Sequence, residues 1–295
     1  MTGLIIANIS NDYKVLADNK EYICKPRGKF RNNNQTPLVG DIVDFDEENK
    51  YILNIHKRKN ELIRPLIANV DAAIIVTPVK PTFDSHLLDK TLTIISYNNI
   101  EPIIYFTKLD LLKEEELDEI NKYINYYKKI GYITLSNTKE LLPHIKDKII
   151  VLTGQSGAGK STLLNKLNPR LELNTDEISI ALGRGKHTTR HTELYSIYDA
   201  LIADTPGFSK IDFIGMNNID IRDNMKEMFN NLDKCKYSDC MHLLEDGCIV
   251  KEMVKNGEIL PSRYNNYKNF IERKNIWKYQ PQFYLLATEK VLYKN

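Results

Sequence analysis

GQSGAGKST, residues 154–162, stands between the apolar run KIIVLT (148–153) and the amphipathic run LLNKL (163–167). Its first eight residues fit G-x-x-x-x-G-K-[ST]. A strand before that pattern and a helix after it are the setting of a phosphate-binding loop. Gly154, Gly157 and Gly159 let the backbone wrap around phosphate oxygens, with Gln155, Ser156, Ala158 and Thr162 completing the loop. The following helix turns its free amides toward the same oxygens. Lys160 would reach the β- and γ-phosphates, and the Ser161 hydroxyl would bind Mg²⁺.

A second stretch, FTKLD (106–110), ends the apolar run PIIYF. Asp110 can accept two hydrogen bonds from guanine N1–H and its exocyclic amine. Adenine offers neither, so a buried Asp110 would be left unpaired against ATP, and such losses discriminate strongly. The stem of Lys108 can cover the base face. Thr107 stands where Asn is more usual, and Leu109 completes the loop. Ser136, at the end of YITLS, could offer its amide to the guanine O6. A third stretch, ADTPG (203–207), places Asp204 near Mg²⁺ and the Gly207 amide near the γ-phosphate.

These stretches occur in the order base loop, phosphate loop, DTPG, whereas an ordinary GTPase begins with the phosphate loop. Each follows a strand, so none reads as accidental. Chain ends of a compact domain often lie close together, so old ends can be joined and new ones opened with the site intact. The pattern is a circularly permuted GTPase domain. Its DTPG segment feeds directly into the C-terminal region.

Between the phosphate loop and DTPG lies GRGKHTTRH (183–191), where a first switch belongs. Thr188 or Thr189 would complete the Mg²⁺ shell, with Thr189 preferred. Phe208 follows the DTPG glycine where many GTPases carry a water-orienting Gln. His187 is the catalytic substitute proposed, and slow intrinsic turnover follows. Gly157 sits where K⁺-dependent relatives often place Asn, which argues against a K⁺ requirement.

Around this centre, residues 69–217 alternate short apolar runs with helix-length segments, the pattern of a mostly parallel sheet with helices on both faces. Residues 1–68 alternate short apolar runs with polar turns, as in a small antiparallel barrel or sandwich. Residues 218–295 read as helical around Cys235, Cys240, His242 and Cys248, spaced C-x4-C-x-H-x5-C. Three thiolates and an imidazole suit a closed, structural Zn²⁺ site. Cys24 reads as barrel core.

The 295 residues are 42% apolar and 27% charged, ordinary for a globular protein, with a net charge of only +2. Local basic patches survive that average: KPRGKFR (25–31) holds Lys25, Arg27, Lys29 and Arg31 and no acid. No apolar run spans a membrane, and the N-terminus lacks a secretory signal, so a cytoplasmic protein with reduced thiols is expected.

Taken together, LVGDIVDF, RPLIANVD, TKLD, GQSGAGKSTLLN, GRGKHTT, DTPGF and the Cys/His spacing resemble the RsgA family of circularly permuted bacterial GTPases. The resemblance spans nearly the whole chain, except the segment after Tyr279. It implies an N-terminal OB-fold, a central permuted GTPase domain and a C-terminal zinc domain. It also implies a monomer acting in late maturation of the small ribosomal subunit, with GTP hydrolysis stimulated by that subunit. The barrel loop carrying KPRGKFRNNN would meet 16S rRNA. Two rival readings are an rRNA-binding placeholder with GTP as a structural ligand, and an ATP-using P-loop protein.

Overall fold

The computed structural model describes residues 1–10, 12–28, 30, 36–63, 66–168, 193–204 and 212–278. Five strands, β1 (Thr2–Ile9), β2 (Asp12–Ala17), β3 (Lys20–Pro26), β4 (Ile42–Asp46) and β5 (Tyr51–Ile55), form a closed barrel in the order β1-β2-β3-β5-β4. Their alternation sends Ile5, Val15, Cys24, Val43, Phe45 and Ile52 into a core from which water is excluded. The closure decides for a barrel over a sandwich, and it is OB-like. One pair is not antiparallel: β3 runs parallel to β5.

Beyond β5 the chain forms a separate hairpin of β6 (Glu61–Ile63) and β7 (Leu66–Ala68), within residues 1–68 but outside the barrel. It is fastened to the barrel by polar groups. The buried Asp41 carboxylate accepts from Arg58 Nε at 2.7 Å and Arg58 NH2 at 2.8 Å. The same guanidinium donates to the Thr36 carbonyl and to Glu61. Asn69 donates to the Gly40 carbonyl. Gly40 has φ +89°, and a Cβ there would lie 2.0 Å from the Ala68 carbonyl oxygen, so no side chain fits this joint.

Next come β8 (Ala72–Pro78), α1 (Ser85–Tyr97), β9 (Glu101–Thr107), α2 (Glu114–Lys129), β10 (Ile133–Leu135), α3 (Thr138–Ile145), β11 (Ile149–Thr153), α4 (Lys160–Leu167), β12 (Leu194–Ile197) and β13 (Ala200–Asp204). The sheet order is β10-β9-β8-β11-β13-β12, and every pair is parallel except β12 with β13. Ile74, Val76, Ile103, Ile150, Leu152 and Ile202 of this sheet pack with Leu163 and Leu164 of α4. The near-continuous apolar runs are what a sheet covered on both faces requires.

The chain from Asp212 onward adds α5 (Asn218–Asp223), α6 (Lys226–Phe229), α7 (Ile249–Lys255) and α8 (Pro261–Lys278). α5 starts on a reciprocal cap between Asn217 and Asp220. Two compact units result. One comprises Met1–Phe83, Asn98–Ile124 and Tyr132–Ile211; the other comprises Asp84–Tyr97, Asn125–Gly131 and the chain from Asp212. Within the second unit Arg263 of α8, 1% exposed, donates to Asp89 of α1 and to Glu227 of α6, each at 2.6 Å. Tyr127 and Asn266 supply further donors to Asp89, and Tyr126 to Glu227. No described helix is long and apolar enough to cross a membrane.

Candidate nucleotide site and metal cluster

β11 turns into α4 through the glycine-rich loop. Gly154, Gly157 and Gly159 all have positive φ, at 148°, 72° and 98°. At Gly154 the need is also steric, because a Cβ would lie 2.5 Å from the carbonyl oxygen of Val76 on β8. Gly159 is the left-handed residue from which α4 starts. Lys160 Nζ donates to the carbonyls of Gly154 and Gln155 at 2.7 and 2.8 Å, so the cation is held against the loop. Ser156 and Thr162 are exposed, Ala158 and Ser161 are buried, and Ser161 opens the first turn of α4.

The base loop lies two strands away along the same sheet edge. β9 ends at Thr107, followed by Lys108 in a left-handed conformation and a 3-10 turn, Leu109–Leu111. Thr107 Oγ1 donates to the Ala158 carbonyl at 2.7 Å. The hydroxyl thus ties the base loop to the phosphate loop, and the departure from Asn loses no tether. Thr107 stands where Asn is more usual, and its hydroxyl donates as an amide would. Lys108 Nζ donates to the Lys80 carbonyl at 3.3 Å. Asp110 is exposed on the 3-10 turn rather than buried, so a ligand itself would have to cover it. Ser136 follows β10 and is also exposed.

β13 ends at Asp204, whose backbone lies in register with Leu152 of β11, two residues before the phosphate loop. That register brings the backbone at the start of DTPG to the same sheet edge as Ser161. His187, Thr188, Thr189, Gly207 and Phe208 lie outside the described residues, as do Lys29, Arg31 and the segment after Lys278. Lys25 and Arg27 are exposed at the end of β3.

In the second unit, the Sγ atoms of Cys235, Cys240 and Cys248 and one ring nitrogen of His242 lie within 4.8 Å of one another. His242 Nδ1 stands 3.5, 3.5 and 3.3 Å from the three sulfurs, and Cys235 and Cys248 sulfurs are 3.9 Å apart. A tetrahedral zinc with bonds of about 2.0–2.3 Å has edges of roughly 3.5–3.8 Å. His242 Nε2 is 3.0 Å from the Met228 carbonyl, which fixes the tautomer that leaves Nδ1 free to bind a metal. Nothing in the sequence pointed to Met228. Glu245 accepts from the amides of Met241 and Leu243 and so folds the loop between the ligands. Burial pushes the Cys240 thiol up to about 12, raises Cys248 and lowers His242. Without a cation this pocket favours the neutral forms of Cys240, Cys248 and His242, and a bound divalent ion would invert that preference for the two thiols while keeping the imidazole neutral.

Two family models match the chain: RsgA N-terminal domain over residues 2–52 and RsgA GTPase over residues 55–214. The chain belongs to the RsgA GTPase family. It is an enzyme that hydrolyses GTP, with a circularly permuted nucleotide domain. A relative from Oceanobacillus iheyensis, named small ribosomal subunit biogenesis GTPase RsgA 2, is 48% identical over 92% of this chain and 96% of its own. The RsgA of Enterococcus faecalis is 46% identical over 92% and 94%. Among solved structures, YloQ, described as a circularly permuted GTPase, matches with a TM-score of 0.80 at 37% identity, covering 93% of this chain and 94% of its own. YjeQ from Thermotoga maritima matches at 0.80 and 33%, covering 92% and 97%.

Proposed function

We propose that this RsgA family member is a cytoplasmic, monomeric GTPase that binds the small ribosomal subunit during its late maturation and hydrolyses GTP faster when bound there. The observation that carries the nucleotide part is the Thr107 to Ala158 hydrogen bond, which makes one site of two loops about fifty residues apart. The subunit is supplied by the names of the relatives, which cover almost the same length.

In this reading Asp110 and the Ser136 amide read guanine, and Thr107, Lys108 and Leu109 shape the base slot. Residues Gly154, Gln155, Ser156, Gly157, Ala158, Gly159, Lys160, Ser161 and Thr162 cradle the phosphates. Lys160 swings from its two loop carbonyls to the β- and γ-phosphates, exchanging neutral acceptors for charged ones. Ser161, Thr189 and Asp204 hold Mg²⁺, which supplies charge neutralisation on the phosphate oxygens. Gly207 senses the γ-phosphate, and His187 orients the attacking water. Cys235, Cys240, His242 and Cys248 hold a structural Zn²⁺, since four protein ligands leave no open position. Lys25, Arg27, Lys29 and Arg31 meet 16S rRNA from the barrel. The domain division at 1–68, 69–217 and 218–295 belongs to the same proposal.

GTP turnover should be measured for the protein alone, then with small or large ribosomal subunits. Strong stimulation by the small subunit alone is the expected result. Tight GTP binding with no stimulation by either subunit would convert the protein into a placeholder.

A further inference from the structure

Asp110 lies on an exposed turn, so burial does not fix its position. The polar contacts around that turn close into a ring. Lys108, left-handed at the head of the 3-10 turn, donates from Nζ to the Lys80 carbonyl at 3.3 Å. Lys80 stands just after β8, and its own Nζ donates to Glu116 Oε1 at 2.6 Å. The other oxygen of Glu116 accepts from the Lys113 amide at 3.0 Å and so caps the first turn of α2. The Leu111 and Leu112 amides donate to the Lys108 and Leu109 carbonyls and complete the circuit through the turn itself. Asp110 is thereby held on both sides, at Lys108 and at Lys113, and the two holds meet at Lys80.

The stretch that carries Lys80 is itself backed. The Val79 amide donates to the Thr107 carbonyl at 3.2 Å, which prolongs the pairing of β8 with β9. The Phe83 ring lies 5.9 Å from that of Phe106 on β9 and 4.8 Å from that of Tyr123 on α2. The Lys80 ammonium, and after it the Lys113 amide, hold the Glu116 carboxyl below the usual carboxylate range, so the pair is ionised at neutral pH.

A carboxylate discriminates between bases only as well as it is aimed, because hydrogen bonds weaken steeply off their axis. Guanine offers Asp110 two donors side by side, which demands one orientation of the carboxylate. We propose that Lys80 and Glu116 are positioning residues for base selection: their ion pair aims the Asp110 turn so that both carboxylate oxygens meet guanine. This rests on the reading of Asp110 in the proposed function.

The test compares GDP with IDP, whose hypoxanthine base lacks the exocyclic amine and offers Asp110 one donor in place of two. The two nucleotides share their phosphates, so the ratio of their affinities reads the base slot alone. Competition against a fluorescent nucleotide gives that ratio for wild type, Lys80→Met, Glu116→Gln and the double variant. Gln keeps an acceptor for the Lys113 amide and removes the charge. A partly exposed ion pair contributes modestly, so each single change should lower the preference for GDP about two- to fivefold. The double variant should lose no more than either single one, because both remove the same interaction. Lys80→Arg should keep the wild-type ratio. Added salt should lower the wild-type ratio toward that of the variants.

Wild-type ratios in both single variants overturn the proposal, since an ordinary surface pair would leave base selection untouched. So does a parallel fall in GDP and IDP affinity at constant ratio, the mark of a general loosening of the site. Losses that multiply in the double variant overturn it as well. Wild-type protein that binds IDP as tightly as GDP overturns the reading of Asp110 and the proposal with it. A wild-type preference that both variants keep in full removes the positioning role and leaves the reading of Asp110 standing.

Discussion

Thr107→Val removes one hydroxyl and keeps the shape of the side chain. The group lost is the donor to the Ala158 carbonyl at 2.7 Å, the tie between base loop and phosphate loop. Ala158 is buried, so water cannot readily replace the donor. A neutral hydrogen bond of this kind contributes about 0.5–1.5 kcal/mol net. If that energy holds the two loops in their binding arrangement, GTP affinity should fall roughly two- to twelvefold. Binding of a fluorescent GTP analogue, with thermal unfolding run alongside, measures both consequences. The preference for guanine over adenine should be unchanged, because Asp110 is untouched. Thr107→Asn should bind as wild type does, since its amide can donate to the same carbonyl. Wild-type affinity in Thr107→Val would refute the tether. So would a collapse of base discrimination, which would mean that Thr107 acts on the base directly.

Asp110→Asn replaces an acceptor of two hydrogen bonds by a group that can accept and donate, and should bring GTP and ATP affinities to within about tenfold of one another; competition binding measures the ratio. Arg263→Met leaves the buried carboxylates of Asp89 and Glu227 without their shared cation, at a cost of about 3–5 kcal/mol; urea unfolding should show an early transition, and Arg263→Lys should recover only part of it. Chelation of bound metal should unfold the region around residues 235–248, read by circular dichroism and proteolysis, because site formation and folding are coupled. Burial raises Cys240 and Cys248, so metal must displace protons there. Below the thiol pKa values, affinity should rise with pH by up to about tenfold per pH unit for each proton released, in a competition titration with a zinc dye.

Where one residue type had one physical use, the sequence was a sufficient guide. Glycines at 154, 157 and 159 are required by positive φ, and their spacing alone located the loop. The cysteine and histidine spacing located a cluster whose atoms do converge. What escaped depends on contacts distant in sequence. The parallel pairing of β3 with β5 leaves no local pattern. The strand β12, LYSI, is short and half-exposed, and was not singled out. The β6–β7 hairpin left no legible alternation, because its strands have only three residues each. Arg222, Glu227 and Arg263 look like surface charges in a largely polar helical region, yet all three are buried. Periodicity cannot separate a solvated charge from one whose partner lies on another helix.

The strand order carries a further meaning. β8, β9 and β10 are contiguous both in sequence and in the sheet; so are β11, β12 and β13. The sheet is two complete three-strand books laid spine to spine along the β8–β11 seam. The first book holds the base loop and the second holds the phosphate loop. Exchanging the order of the two books breaks no pairing inside either, which is why the permutation could occur without dismantling the site. In the proposed function a guanine nucleotide bound across the seam would rivet two volumes, each of which pairs its strands within its own stretch of chain.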